Sequence, residues 1–295
     1  MTKTILIAGA NGKIGRHAAT AFAAAGWTVR SYQRGTDMTA AAQGADIILN
    51  GLNPPNYHNW AGLIPQITKQ VIAAAQATGA TVILPGNVYN YGNTCIGEWD
   101  EHTPHTPNTR KGKIRVEMEQ AYRDSGVQTL ILRAGNFIDP DGTEDIMSII
   151  HLRSLAKGKL GMTGPMDSTQ AWCYLPDWAR AAVQLAEKKQ ELSQFEDIAF
   201  GGLAFDGHQL QAELQALTGL DLRVSQFPWW LMTALSPFWE LAREMKEMRY
   251  LFALDHRLSD TRLHALLPGF TTTPLQALLR AKLDASLPEM MAVPA

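Results

Sequence analysis

Short apolar runs alternate with stretches of helical period through the first half of the chain. Thr4–Ala8 (TILIA) has the continuous apolar character of a buried strand. Ile14, Ala18, Phe22 and Ala25 then recur at helical spacing, with Gly26 placed as a C-terminal cap. Thr28–Tyr32 and residues 46–50 (DIILN) read as the next strands. Residues 64–78 read as a helix closed by Gly79, and 81–84 as a strand. A further helix spans about 113–124 and stops at Ser125-Gly126, followed by the strand 127–133 (VQTLILR). Strands alternating with helices predict a doubly wound α/β fold, a parallel sheet covered on both faces. Between Tyr32 and Asp46 there is room only for a turn and a short helix. The strand that usually follows the second one is therefore expected to be truncated or missing.

After about residue 139 the rhythm changes. Residues 142–176 are rich in Gly, Ser, Thr and Met. Helices are expected near 177–189 and Gly207–Thr218, then an aromatic stretch over 227–241 and a last helix over 274–283. There is no internal repeat and no low-complexity tract.

The first strand runs into GANGKIG, whose glycines are Gly9, Gly12 and Gly15. Gly9 permits a tight turn, Gly12 lets the backbone approach a pyrophosphate, and Gly15 lets helix and strand pack closely. The helix that follows offers unpaired N–H groups and a partial positive charge to the anion. A glycine triplet alone is weak, but between a strand and an Ala-rich helix it predicts a dinucleotide loop formed by Gly9, Asn11, Gly12, Lys13, Ile14 and Gly15. The second strand ends Ser31-Tyr32-Gln33-Arg34 without the carboxylate that would accept from ribose hydroxyls. Arg34, helped by Arg16, is placed to pair with a 2′-phosphate, which puts NADP ahead of NAD; the alternative is that both arginines are solvated surface residues. The domain expectation is an NAD(P)-binding Rossmann domain over 1–140, to which parts of 165–205 return. Residues 141–295 would form a smaller, mostly helical substrate-binding region.

Composition narrows the class. The chain has 295 residues, 46% hydrophobic and 18% charged, with a net charge of −2. These values describe a globular chain with no basic block for nucleic acid. No uncharged apolar run reaches the roughly 18 residues of a membrane span. Two cysteines, Cys95 and Cys173, make a disulfide framework unexpected and a reducing compartment the default. With no signal-peptide pattern at the start, a cytoplasmic location is expected.

With the loop in place, the chain resembles the extended and atypical short-chain dehydrogenase/reductases, above all the NAD-dependent epimerase/dehydratase group. The segments that carry the resemblance are PGNVYNYG (85–92), TRKGKIRVEME (109–119), LRAGNFIDP (132–140), YLPDWARA (174–181) and LLPGFTTTPLQALL (266–279). The family uses a Ser or Thr after a central strand and a Tyr-x-x-x-Lys on the next helix. Tyr moves the proton, Lys holds the nicotinamide ribose and Ser polarises the substrate oxygen. By resemblance Lys113 falls on the Lys position, with Glu117 four residues on; the Tyr position becomes Thr109 and the Ser position Asn87. A phenol near pKa ~10 can be tuned toward neutrality, whereas an aliphatic hydroxyl is far too weak an acid for that role. Thr109 could orient a substrate without acting as its acid, and Asn87 can donate to a carbonyl. The proton-transfer half of the site is therefore expected to be rebuilt or lost. Candidates for a relocated acid are Tyr89, Tyr91, His102 and His105. Tyr91 is equally read as packing beneath the site, and each histidine as a solvated loop residue.

The resemblance also places Gly51, Leu52 and Asn53 along the dinucleotide bridge, with Gly86 beside them. It sets Gly135, Asn136 and Phe137 against the nicotinamide carboxamide. Asp177 is read as a helix N-cap. The basic run 110–115 is either an anionic-substrate contact or a solvated helix start, and Gly112 within it suggests close packing or a ligand. Trp229, Trp230, Phe238 and Trp239 are open to three readings: an apolar lid, a dimer face or ordinary core, so a homodimer is left open. No Cys/His/Asp/Glu set has metal-ligand spacing, and no Gly-x-Ser-x-Gly elbow is present. Two functions follow. One is an NAD(P)-dependent oxidoreductase or epimerase-like enzyme acting on a small carbonyl or sugar-like substrate. The other is a non-catalytic NADP(H)-binding sensor that signals to a protein partner and does not need the missing Tyr and Ser.

Overall fold

Side chains on both faces of the central strands are buried, which is why these strands read as apolar runs rather than alternating ones. The computed structural model describes residues 2–142 and 144–291. The first half runs β1 (Thr4–Ala8), α1 (Lys13–Ala24), β2 (Thr28–Tyr32), α2 (Met38–Ala41), β3 (Ile47–Asn50), α3 (Trp60–Thr78), β4 (Thr81–Gly86), β5 (Gly97–Trp99), α4 (Arg110–Asp124), β6 (Thr129–Arg133) and β7 (Asn136–Ile138). The second half adds β8 (Lys159–Met162), β9 (Gln170–Tyr174), α5 (Leu175–Glu187), β10 (Phe195–Ala199), β11 (Leu203–Phe205), α6 (Gly207–Thr218) and β12 (Arg223–Gln226). It ends with α7 (Trp229–Leu235), α8 (Glu240–Glu247), β13 (His256–Leu258), α9 (Thr261–Leu266) and α10 (Leu275–Met291).

The main sheet has six strands in the order β10-β6-β4-β3-β1-β2, all parallel. Its strands alternate sides residue by residue. Ile5 and Ile7 join the core beneath α1 and α5, whereas Leu6 and Ala8 join the core beneath α3 and α4. Ile47 and Leu49 divide from Ile48 in the same way. The four residues of α2 are all that separates β2 from β3 as regular structure. The usual further strand is missing, and β2 forms the sheet edge.

The second half returns to this sheet through α5, packed on α1, and through β10, paired with β6. A second core lies between β8, β9, α6 and α10, around Leu160, Trp172, Phe205, Leu214 and Leu278. Asp177 is not an N-cap. Tyr174 holds that position, and the Asp177 carboxylate instead accepts from the Thr273 backbone N–H (2.6 Å) and hydroxyl (3.0 Å), tying down the chain ahead of α10. Cys95 and Cys173 are both free thiols. Among the described residues no helix is long and apolar enough to cross a membrane.

Candidate functional site

The strand order reverses at β1, which has β2 on one side and β3 on the other. In sheets of this type ligands bind beyond the carboxyl ends of the strands at that point. Here Gly9 follows β1 and Gly51 follows β3. Gly9 takes φ +90°, and a Cβ on it would lie 2.8 Å from the Gly51 carbonyl oxygen. A Cβ on Gly15 would lie 2.2 Å from the Gly9 carbonyl oxygen, so α1 can start this close to β1 only with glycine there. Gly12 is exposed and has just one near neighbour for a Cβ, the Gly9 carbonyl at 3.2 Å. What Gly12 keeps open therefore lies outside the loop. No side chain caps α1 and no acid sits in its first turn, which leaves orphan N–H groups at the positive end of the helix for an anion.

Around this cradle Asn11 is exposed, Ile14 packs against the α1/α5 core, and Lys13 Nζ donates to the Glu144 carbonyl at 2.6 Å. Arg16 is committed elsewhere, paired with the buried Asp139 at 2.9 Å, and His17 holds the other Asp139 oxygen at 2.8 Å. Beyond β2, Arg34 is exposed and makes no hydrogen bond or ion pair among the described residues. Asp37, the next carboxylate, caps α2 through Thr39 and Ala40.

After β3, Leu52 donates its N–H to Asn50 Oδ1 (3.3 Å), and Asn53 is exposed. Asn56, Tyr57 and Asn59 then all adopt positive φ (52°, 60° and 44°). Such residues each store roughly 1–3 kcal/mol of strain and persist where surrounding structure holds them. The result is a Tyr57 ring against Trp60 (5.2 Å between centroids), with its hydroxyl 3.2 Å from that of Tyr89.

The helix α4 differs from its expected register. Thr109 is its N-cap: the hydroxyl accepts from Gly112 N–H at 3.0 Å, which explains this residue without catalysis. Lys113 and Glu117 are exposed, whereas Lys111, Ile114, Met118, Glu119 and Tyr122 are buried. Helical spacing sets Lys113 almost opposite that inward face, so the structure does not bring it to the cleft. Lys111 and Arg115 stand inward instead, with Glu119 a further turn on.

Lys111 is fully buried and satisfies its ammonium with the Glu244 carbonyl (2.9 Å), Glu244 Oε2 (2.7 Å) and Glu247 Oε2 (2.7 Å). This fastens α8 across the start of α4. Gly112 answers to packing, because a Cβ there would lie 2.5 Å from the Tyr89 carbonyl oxygen.

Arg115 is half-buried beside Tyr57, Tyr89 and Trp60, its guanidinium carbon 5.0 Å from the Trp60 ring. Its Nε is buried without a partner, and the one acceptor it reaches among the described residues is the Met118 sulfur at 3.8 Å. Burial lowers its pKa from the usual guanidinium value.

Asn87 turns Oδ1 to the Tyr89 N–H (3.0 Å), and its carbonyl accepts from Arg133 (2.6 Å). Its side-chain amide N–H groups make no hydrogen bond among the described residues. Burial, then the neighbouring Tyr57, raises the Tyr89 pKa well above the ordinary phenol value. Tyr91 is not a cleft residue. It is buried between Trp99 and His105, and burial raises its pKa as well. His102 is solvated. His105 is lowered to about 4 by burial and then by the Arg133 charge. Glu119 and Asp197 both bind the buried Arg133 (2.8 and 2.5 Å), which forms the floor beneath Asn87.

Gly86 and Gly135 are required by packing. Cβ atoms on them would lie 2.6 Å from the Ile131 side chain and 2.2 Å from the Ala171 carbonyl oxygen. Asn136 and Phe137 enter β7, which pairs with β9. Asn136 lines a small, partly open pocket of about 20 Å³, room for one water, with His151, Gln170 and Trp172. Trp229 is core, donating its indole N–H to the Thr163 carbonyl (2.7 Å), whereas Trp230, Phe238 and Trp239 are exposed. Two groups, His17/Asp139/Asp141 and His105/Glu119/Asp197, have metal-like spacing, but in each an arginine already sits on the carboxylates.

Sequence reasoning left the basic run 110–115 open between an anionic-substrate contact and a solvated helix start without separating Lys111 and Arg115 from it, and it missed Tyr57 and Tyr250. The Tyr250 hydroxyl is buried beside Thr109; burial, then Glu247, pushes its pKa up to about 12. The signal for α4 was present: Lys111, Arg115 and Glu119 repeat the spacing of Thr109, Lys113 and Glu117. Ile114, Met118 and Tyr122, at i, i+4 and i+8, mark the buried face.

No family model matches the chain, and no curated protein matches it in sequence. Solved structures do match it in fold. A UDP-glucuronic acid 4-epimerase from Bacillus cereus, solved with UDP-glucuronic acid and NAD, superposes with TM-score 0.77 at 15% identity over 97% of this chain and 99% of that one. L-Threonine dehydrogenase from Clostridium difficile gives 0.76 at 15% identity over 98% and 99%. TunA, an NAD-dependent NDP-hexosamine 5,6-dehydratase of tunicamycin biosynthesis, gives 0.73 at 15% identity over 97% and 98%. Over nearly its whole length, the chain has the fold of these epimerases, dehydratases and dehydrogenases.

Proposed function

We propose that the protein is an NADP-dependent oxidoreductase or epimerase-like enzyme acting on a small carbonyl or sugar-like substrate. The observation that carries this reading is the uncapped α1 N-terminus, set close against β1 by Gly9 and Gly15, where a Cβ would collide with backbone, and left open on its outer side by Gly12. When bound, the nicotinamide supplies hydride transfer at C4. The preference for NADP rests on Arg34, which has no partner among the described residues, and on Asp37, which is spent capping α2. NAD, present with several proteins of this fold, is the competing cofactor.

The proton chemistry falls to side chains beyond β3 and β4. Asn87 has its amide N–H groups left to polarise a substrate carbonyl. Tyr89 keeps its proton at neutral pH, which suits donation to a developing alkoxide, a stronger base than a phenolate. Tyr57, 3.2 Å away, can return the proton to Tyr89. Lys113 and Tyr91 have no part in this scheme, and Thr109 acts as the helix cap.

Calorimetric titration with NADPH and NADH, beside Arg34→Ala, tests the cofactor. NADPH should bind more tightly, and Arg34→Ala should remove most of that preference, worth about 1.5–3 kcal/mol for a charged contact. A carbonyl panel followed at the NADPH absorbance then tests turnover. Cofactor binding without turnover of any carbonyl would favour the sensor reading, and binding of neither nucleotide would end both.

A further inference from the structure

We propose that Arg115 is the receptor for an oxyanion on the substrate, a carboxylate or phosphate seated beside Tyr57, Trp60 and Tyr89. The inference deepens the enzymatic reading above and rests on it. A guanidinium carries five N–H donors, and one that is half-buried among aromatic rings normally has carboxylate or carbonyl oxygens to receive them. Among the described residues Arg115 reaches none: its Nε is buried without a partner, and Nη1 has only the Met118 sulfur at 3.8 Å. The nearest acids are already engaged. Glu119 is held by Arg133 and by Asn90 (2.7 Å), and Asp197 by Arg133. Trp60 repeats the deficit, because its indole N–H is also buried without an acceptor.

Unpaired donors of both kinds thus meet in one place, with two tyrosine hydroxyls beside them. That place lies beyond β3 and β4, since Tyr57 and Trp60 follow the first and Tyr89 the second. A planar carboxylate or a phosphate face matches the guanidinium fork with two parallel hydrogen bonds. The aromatic walls restrict water and so strengthen that contact. The cluster would hold an anionic substrate by its charged end while Asn87 and Tyr89 face its carbonyl.

The test uses the full chain saturated with NADP⁺, titrated by calorimetry at constant ionic strength. The probes are glycolate, lactate and phenyllactate in one arm and glycerol phosphate in the other. One arm should bind saturably. Arg115→Gln should weaken that binding at least about tenfold. Arg115→Lys should keep part of it and serves as the folded control that retains the charge. NADP⁺ affinity should be unchanged in both variants, and circular dichroism should match the parent. No binding in either arm, or equal binding by Arg115→Gln, overturns the proposal. So does a loss confined to NADP⁺ affinity, which would make Arg115 a cofactor contact. If the parent chain binds neither NADP⁺ nor NAD⁺, the enzymatic reading falls by itself, and the same titrations on the bare chain still decide whether Arg115 binds an oxyanion.

Discussion

Replacing Lys111 with methionine should unlatch α8 from α4. The ammonium is fully buried, and each of its three N–H groups has an acceptor, one on the Glu244 main chain and two on carboxylates. Methionine keeps the volume and removes the charge, which leaves the Glu244 carboxylate, 1% exposed, short of a partner. Removing one member of a buried ion pair costs about 3–5 kcal/mol. Arg110 and Arg243 stay within reach of Glu244, at 2.5 and 3.5 Å, so the lower end, about 3 kcal/mol, is expected. At a urea m-value of about 3 kcal/mol/M, that moves the unfolding midpoint down by about 1 M. Lys111→Met with Glu244→Gln should recover more than half, because no uncompensated charge stays buried. A pH signature accompanies it. Burial alone would raise the Glu244 pKa, but the hydrogen bond and charge of Lys111, followed by Arg110, outweigh it and lower it below 4.5. Its contribution is therefore present above the unfolded value and is lost as pH falls through the lowered folded one. Lys111→Met should shrink this acid-side loss. A midpoint within about 0.3 M of the parent, with an unchanged acid slope, would refute the argument.

Two further outcomes follow from packing and burial. Gly112→Ala should destabilise by about 1–2 kcal/mol in urea unfolding: the roughly 1 kcal/mol gained in helix propensity is outweighed by a Cβ placed 2.5 Å from the Tyr89 carbonyl oxygen. Burial, only partly offset by the hydrogen bond to the Gly161 carbonyl, lowers His151 to about 4, so the unfolded chain takes up its proton first. Stability should fall as pH drops from 6.5 toward 4, by up to about 1.4 kcal/mol per pH unit for this group, and His151→Gln should flatten that slope.

The apolar runs made the strands legible, because strands buried on both faces leave little ambiguity. The glycine loop was legible because each of its close approaches forbids a side chain. The short gap after Tyr32 showed the missing strand for a plain reason of length. On α4 the sequence offered two sets at the same spacing, and the polar pattern of the resemblance picked the exposed one. The apolar set Ile114, Met118 and Tyr122 gives the correct face, since burial and not charge fixes helix rotation. Tyr57 and Tyr250 reach the site through a left-handed loop and a distant C-terminal segment. Neither local propensity nor periodicity carries information about such long-range placements. Asp177 was misread for a related reason: its partner, Thr273, lies 96 residues away.

The missing strand has a consequence for solubility. With nothing beyond it, β2 presents a free row of main-chain donors and acceptors, a template on which another chain could add a strand. The segment counters this with a length of five residues and a charge in the middle, Arg30, whose guanidinium folds back onto the Gln43 carbonyl (2.8 Å). Tyr32 likewise reaches the Thr36 carbonyl (2.9 Å), closing the end of the strand with a turn. A strand that in most doubly wound sheets is shielded by a neighbour is bare here, and Arg30 sets a charge along that border.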